Sequence, residues 1–202
     1  MTIKKPLNKY QKIFYHLPPT AVPIQVSDIK SAIKGVKDPH NCYRDFKSAL
    51  QDAIGTKHCF LTSSGRAALL LILLTLKRQS NRQKVILPAY TCPTVVQAIS
   101  QAGLHPLFCD LDPSTLGFDR EQLKPLLTEK VLAIIPTHLY GLVEEIKDLI
   151  EMCSYLGIHI IEDAAQAFGA FSSGQSVGCS GDFGFFSLGF GKSIPISLVE
   201  SI

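Results

Sequence analysis

Apolar residues in this chain fall into short runs separated by longer stretches of helical spacing. His58–Leu61, Lys84–Leu87, Leu107–Cys109, Val131–Ile135, Ile158–Ile161 and Phe183–Phe186 are apolar at nearly consecutive positions and too short for helices. Such runs predict strands buried on both faces. Between them, Gly65–Lys77, Thr94–Ala102, Arg120–Leu127 and Glu144–Leu156 predict helices. Phe46, Leu50 and Ile54 mark a further helix over Arg44–Ile54, closed by Gly55. Pro88, Pro106, Pro136, Gly103, Gly141 and Gly157 punctuate the exits.

Strand, helix and strand at this spacing imply right-handed crossovers. The expected fold is α/β, three-layered, with a mainly parallel sheet. In such sheets the ligand lies beyond the carboxyl ends of the strands. That rule selects Thr62–Arg66, Ala89–Cys92, Thr137–Tyr140, Glu162–Gln166 and Ser187–Lys192. Residues 1–43 are broken by Pro6, Pro18, Pro19, Pro23 and Pro39, and predict an irregular arm with one short helix near Ser27–Ile33. Residues 44–202 form the expected domain.

Composition narrows the classes. Charged residues are 18% of the 202, against a typical ~25%, and mean hydropathy is positive. Either the sheet is covered on both faces, or a partner subunit or further domain covers part of the surface. A dispersed net charge of +3 argues against nucleic acid. The longest apolar run, Ala67–Leu74, is far short of a membrane span. No apolar segment follows Met1-Thr2-Ile3-Lys4-Lys5-Pro6, so the expectation is a cytoplasmic protein with no membrane partner. The six cysteines form no Cys-x-x-Cys pair, which favours buried free thiols over a metal site or disulfides.

The chemistry begins with Lys192 after a Gly-rich turn and Asp163 at the end of an apolar strand. Pyridoxal 5'-phosphate requires an amine to hold its aldehyde as a Schiff base and a carboxylate to keep its ring nitrogen protonated. Taken singly, Asp163 reads as a helix cap and Lys192 as one lysine among many. Thr62-Ser63-Ser64-Gly65-Arg66-Ala67 leads into a helix, where free N–H groups suit either a phosphate or a plain serine cap. Gln166 lies three residues beyond Asp163, and Ser187 precedes Lys192 by five. His138 is either a satisfied polar group or a ligand contact.

Five motifs occur in order: Ser63-Ser64-Gly65-x-Ala67-Ala68-Leu69, Leu87-Pro88-Ala89-Tyr90-Thr91, Pro136-x-His138-Leu139-Tyr140-Gly141, Glu162-Asp163-Ala164-Ala165-Gln166-Ala167 and Gly181-Asp182-x-Gly184-x-Phe186-Ser187, the last followed by Gly191-Lys192. From Arg44 to Lys192 the chain resembles the DegT/DnrJ/EryC1/StrS family of pyridoxal-phosphate-dependent sugar aminotransferases. The resemblance implies the large domain of the aspartate-aminotransferase-like fold and a homodimer at full length. It also implies an amino-acid donor, glutamate, and a nucleotide-linked keto-sugar acceptor. By matching position, Lys192 would carry the cofactor and Asp163 would face the pyridine nitrogen. Gln166 would lie beside the phenolic oxygen, and Ser64, Gly65, Arg66 and Ser187 would surround the phosphate. Cys92 stands where many members stack an aromatic on the ring, with Tyr90 as a substitute, and Arg66 replaces a usual threonine.

Family members continue through further strands and a small C-terminal domain, so the large domain is expected to be incomplete at its C-terminus. Two readings follow: a sugar aminotransferase, or an inactive truncated fragment of one. A dehydratase branch places histidine at the lysine position, and Lys192 argues against it. Gly191-Lys192-Ser193 is not a P-loop, because Phe186 occupies the required glycine position and Pro195 discourages a following helix. No serine has a Gly-x-Ser-x-Gly setting, so a hydrolase is no better supported.

Overall fold

The computed structural model describes residues 26–189. Lys192 and the strand-like Ile196–Val199 lie outside the described residues, as does the part of the arm before Val26.

Two helices open the described chain, α1 (Val26–Lys37) and α2 (Pro39–Ile54). The second begins five residues earlier than its apolar spacing suggests, because Asp38 caps it through Asn41 N–H and Pro39 opens its first turn. Most of the stretch expected to be irregular from residue 26 to 43 is therefore helical. Helix α2 stops at Gly55, whose φ of 76° is the left-handed conformation that favours glycine.

The core elements follow as α3 (Gly65–Gln79), β1 (Lys84–Pro88), α4 (Pro93–Gln101), β2 (His105–Cys109), α5 (Arg120–Leu123), β3 (Val131–Ile134), α6 (Lys147–Ser154), β4 (His159–Asp163), the hairpin β5 (Phe171–Ser172) and β6 (Gln175–Ser176), and β7 (Phe183–Phe185). Five strands form one parallel sheet in the order β2-β1-β3-β4-β7. The fold is α/β, as the run pattern implies.

Alternate strand residues face opposite layers. Val85, Leu87, Ile135, Ile161 and Phe185 join Leu69, Leu73 and Leu76 of α3 and Val95, Ala98 and Ile99 of α4. Ile86, Ile134 and Ile160 turn the other way, onto Leu123 of α5 and Leu149 and Cys153 of α6. Each such aliphatic side chain contributes about 1.5–3 kcal/mol of transfer free energy. The β1–β3 register shifts at Lys84/Val85, which pair with Val131 and Ala133 and skip Leu132. That irregularity puts Leu132 and Ala133 in the same cluster.

Three expectations change, and a hairpin that none foresaw is present. His58–Leu61 forms no strand, and Phe60 is 82% exposed; the sheet edge at β7 has only β4 as a described partner. The helix expected over Arg120–Leu127 becomes four α residues and a 3-10 turn at Lys124–Leu126, since Pro125 lacks an N–H. The helix expected from Glu144 starts at Lys147, because Glu144 is held by Arg120 and by His138. The hairpin turns through Ser173 and Gly174, both at positive φ, a two-residue turn that Ser-Gly signals.

Gly184 in β7 packs directly on the carbonyl of Gly178, and a Cβ there would collide with that oxygen. Gly184→Ala is expected to destabilise the domain by about 3 kcal/mol, because backbone must move to admit the methyl group. Thermal or urea unfolding of the variant checks this.

Candidate active site

The carboxyl ends of β1, β3, β4 and β7 lie at one edge of the sheet, and most of the chemically suggestive residues follow them. Asp163 is the last residue of β4 and is 5% exposed. Its N–H donates to Pro136 O at 2.9 Å and its carbonyl accepts from His138 N–H at 3.0 Å. On the other side, Ala164 N–H donates to Phe185 O at 3.0 Å. Asp163 is thus clamped by backbone between β3 and β7. Its Oδ1 accepts from Ala165 N–H at 3.0 Å, though a turn and not a helix follows. Gln166 closes the same corner: its Oε1 accepts Tyr140 N–H at 3.0 Å. Tyr140 sits at φ 54°, and its hydroxyl lies 2.8 Å from that of Tyr90.

Ser64 caps α3, its Oγ accepting from Ala67 N–H at 3.2 Å. The N–H groups of Gly65 and Arg66 in this first turn have no intrahelical acceptor. A Cβ at Gly65 would lie 3.3 Å from Phe186 O and 3.5 Å from Ser187 Cβ. Glycine therefore lets the N-terminus of α3 approach the chain leaving β7. Ser64, Gly65 and Ser187, 122 residues apart between the last two, come together as an anion-binding arrangement requires. Arg66 extends along the helix surface, Nη1 donating to Gln97 Oε1 on α4 at 3.2 Å. Cys92 precedes α4, exposed, with Sγ 3.1 Å from Thr94 Oγ1. Lys192 lies outside the described residues.

Beneath this edge is a polar core that sequence reasoning missed. Glu162, 1% exposed, accepts from His138 Nε2 at 3.0 Å, Gly178 N–H at 3.0 Å, Ser180 N–H at 2.6 Å and Gly181 N–H at 2.7 Å. His138 Nδ1 accepts from Glu144 N–H at 3.1 Å, which leaves the ring proton on Nε2, facing Glu162. His138 is fully buried and satisfied by protein, so the polar-group reading of it holds. Burial alone would raise the Glu162 carboxyl, but the bonds from His138, Gly181 and Gly178 hold it below the ordinary 4.5. Glu144 goes the other way, raised by burial despite its bond to Arg120. The one available signal was a glutamate inside an otherwise apolar run, Ile158–Ile161, at its exit.

A cleft of about 560 Å³ lined by Ser80, Arg82, Lys84, His105 and Lys130 lies at the opposite end of the strands. Ligands of open parallel sheets bind at the carboxyl ends, and none of the residues that follow those ends lines this cleft. Among the described residues, no helix is long and apolar enough to cross a membrane.

A parallel α/β domain with a buried carboxylate at a strand exit and an open helix N-terminus beside it defines the class. Residues 26–197 match the DegT/DnrJ/EryC1/StrS aminotransferase family, and the chain belongs to it. It is 33% identical over 150 residues to GDP-perosamine synthase of Caulobacter vibrioides, covering 74% of this chain and 40% of that protein. It is 35% identical over 133 residues to UDP-N-acetyl-3-dehydro-alpha-D-glucosamine 3-aminotransferase of Acidithiobacillus ferrooxidans, covering 66% of this chain and 36% of that protein. The fold matches the PLP form of a proposed sugar aminotransferase, Spr1654, of Streptococcus pneumoniae, with a TM-score of 0.83 and 25% identity. That match covers 89% of this chain and 50% of the other. The chain thus spans half or less of these relatives.

Replacing Glu162 with Gln removes the charge and turns an amide NH2 toward backbone donors. Glu162→Gln is expected to destabilise the protein by about 3 kcal/mol at neutral pH. Because the folded carboxyl titrates below its ordinary 4.5, its stabilisation is complete above that value and is lost as pH falls through the lower folded one. The gap between wild type and Glu162→Gln should therefore narrow in acid. Glu144 acts in the opposite sense but is common to both proteins and cancels in the comparison. Denaturation from pH 7 to pH 3 checks the slope.

Proposed function

We propose that this chain forms the cofactor-binding part of a pyridoxal 5'-phosphate-dependent aminotransferase acting on a nucleotide-linked keto-sugar, with glutamate as amino donor. The observation that carries the reading is the approach of Gly65, in the first turn of α3, to Ser187, which follows the strand paired with buried Asp163. Both curated relatives bear nucleotide-linked sugars in their names, which supports the acceptor class.

The donor set fits the cofactor. Free first-turn N–H groups and the Ser187 hydroxyl suit a phosphate dianion at the positive end of a helix. A carboxylate held between two strands suits a protonated ring nitrogen. When bound, the cofactor supplies an electron-withdrawing ring conjugated to the carbon that carries the amino group.

The roles of the chain's own residues follow. Ser64, Gly65, Arg66 and Ser187 hold the phosphate and fix the ring's position along the edge. Asp163 would keep the proton on the ring nitrogen, and Gln166, tied to Tyr140 N–H, would lie beside the phenolic oxygen. Cys92 would face the ring, where it would offer less stacking surface than an aromatic. Lys192, whose amine must be neutral to react with an aldehyde, would be the residue that anchors the cofactor, in contrast to the histidine of the dehydratase branch. The full-length protein is a homodimer in this reading.

Borohydride reduction of the cofactor-loaded protein followed by peptide mapping is expected to label Lys192. Label on another lysine, or on none, overturns the assignment. Asp163→Asn is expected to keep the cofactor while slowing amino transfer from glutamate by several orders of magnitude, since an unprotonated ring nitrogen withdraws electrons poorly. Stopped-flow absorbance of the glutamate half-reaction measures this; near-normal turnover reduces Asp163 to a structural cap.

A further inference from the structure

Thr137 follows β3 and is 8% exposed, yet its Oγ1 is buried with no hydrogen-bond partner among the described residues. Burying an unpaired hydroxyl costs free energy, and native structures avoid it unless something else completes the bond. The side of the sheet on which the Thr137 side chain stands follows from its neighbours and its bridge. Ile135 packs in the layer of α3 and α4, while His138 reaches Glu162 and the Glu144 N–H on the opposite side. Thr137, between Pro136 and His138, shares the side of Ile135.

Asp163 is the register partner of Thr137 through a parallel bridge. Partners in neighbouring parallel strands point to the same face, about 4.8 Å apart. Ile161, two residues before Asp163, also packs in the α3 and α4 layer. A group that engages the Asp163 side chain on this face therefore lies within reach of Thr137. A second buried hydroxyl without a partner among the described residues, Thr91 Oγ1, follows the neighbouring strand β1 at the same edge of the sheet. Two unpaired hydroxyls at adjacent strand exits mark a floor with unused hydrogen-bonding capacity where the ligand is expected.

We propose that Thr137 is a further ligand-contacting residue, whose hydroxyl bonds the polar edge of the heteroaromatic ring that Asp163 engages. The inference rests on the functional reading above. It assigns to Thr137 a contact that neither the motifs nor the fold comparison identified, and it explains why the unliganded protein tolerates a buried hydroxyl without a partner.

The test uses the full chain and pyridoxamine 5'-phosphate, which lacks the aldehyde and so reports contacts without the covalent bond. Thr137→Val preserves shape and removes the hydroxyl; Thr137→Ser keeps it. In the unliganded protein, Thr137→Val should leave the unfolding midpoint unchanged or raise it, since no bond is lost. Its affinity for pyridoxamine 5'-phosphate should fall about three- to tenfold, the loss of one net hydrogen bond. Thr137→Ser should stay within about twofold of wild type, well inside the loss of one bond. The absorbance maximum of the bound ligand should also move in the valine variant and not in the serine variant.

If Thr137→Val destabilises the unliganded protein, the hydroxyl has a protein partner and the inference fails. Equal weakening in both variants would assign the effect to packing, again overturning it. If wild type and Thr137→Val bind equally, Thr137 makes no contact while the functional reading stands. If the wild type binds no pyridoxamine 5'-phosphate, the functional reading fails and this inference with it.

Discussion

The carboxylate of Glu162 holds together the part of the fold on which the candidate site depends. Its two oxygens accept from one imidazole and three backbone N–H groups drawn from two separate stretches of chain. Gly178, Ser180 and Gly181 lie in a loop with no strand partner, so their donors need a side-chain acceptor or water. Glu162 supplies that acceptor from inside the sheet. The loop so anchored decides where β7 starts, and Asp182 adds a second tie by accepting Ile160 N–H at 2.8 Å. Where β7 starts fixes where Ser187 emerges against Gly65. A buried charge in β4 therefore governs a contact made beyond the far end of β7.

Close approach is the second requirement, and glycine meets it. A Cβ at Gly181 would stand 2.9 Å from Ile160 O, and Gly178 has a φ of 90° with the ring of Phe186 against it. Larger residues at these places would separate β7 from β4 and pull Ser187 away from the helix. Gly65 closes the arrangement from the other side. The hub's charge and the glycines' missing side chains act together, since each hydrogen bond to Glu162 needs its backbone donor close to the strand.

Much of this was legible in the residues, and the exceptions have physical causes. Strands buried on both faces read as unbroken apolar runs, which is why β1, β3 and β4 were clear from Val85, Ile134 and Ile160 and their neighbours. His58–Leu61 has strand composition but no described neighbour, and composition cannot reveal whether a partner is present. Pro125 broke a helix that periodicity alone would continue. Asp163 and Gln166 could be selected because motif order singles them out. The bonding role of Glu162, which opens the same motif, could not be read, because its partners stand 16 to 24 residues away and share no period with it. Thr137 fell within the strand-exit segment Thr137–Tyr140, but what singles it out is a bond that is not made, which sequence does not show.

The parallel topology explains why the chemistry gathers at one edge. In a strand–helix–strand unit each crossover helix begins where its strand ends, so the first turn of α4 opens just beyond β1, and α3 reaches the same edge through Gly65. The first turn of α3 then presents unpaired N–H groups at this edge, while α4 opens on Pro93, which has no N–H, and its Val95 N–H is bonded to Cys92 O. The Arg66–Gln97 bond ties the starts of these two helices together. Arg66 adds a full positive charge there, while Cys92, at the start of α4, offers little surface to a planar ligand. The two departures from the family pattern thus lie on helices joined by one hydrogen bond, one strengthening attraction for an anion and the other weakening stacking. In the proposed site, holding a ligand would shift from contact with the ring face toward electrostatic grip on the phosphate.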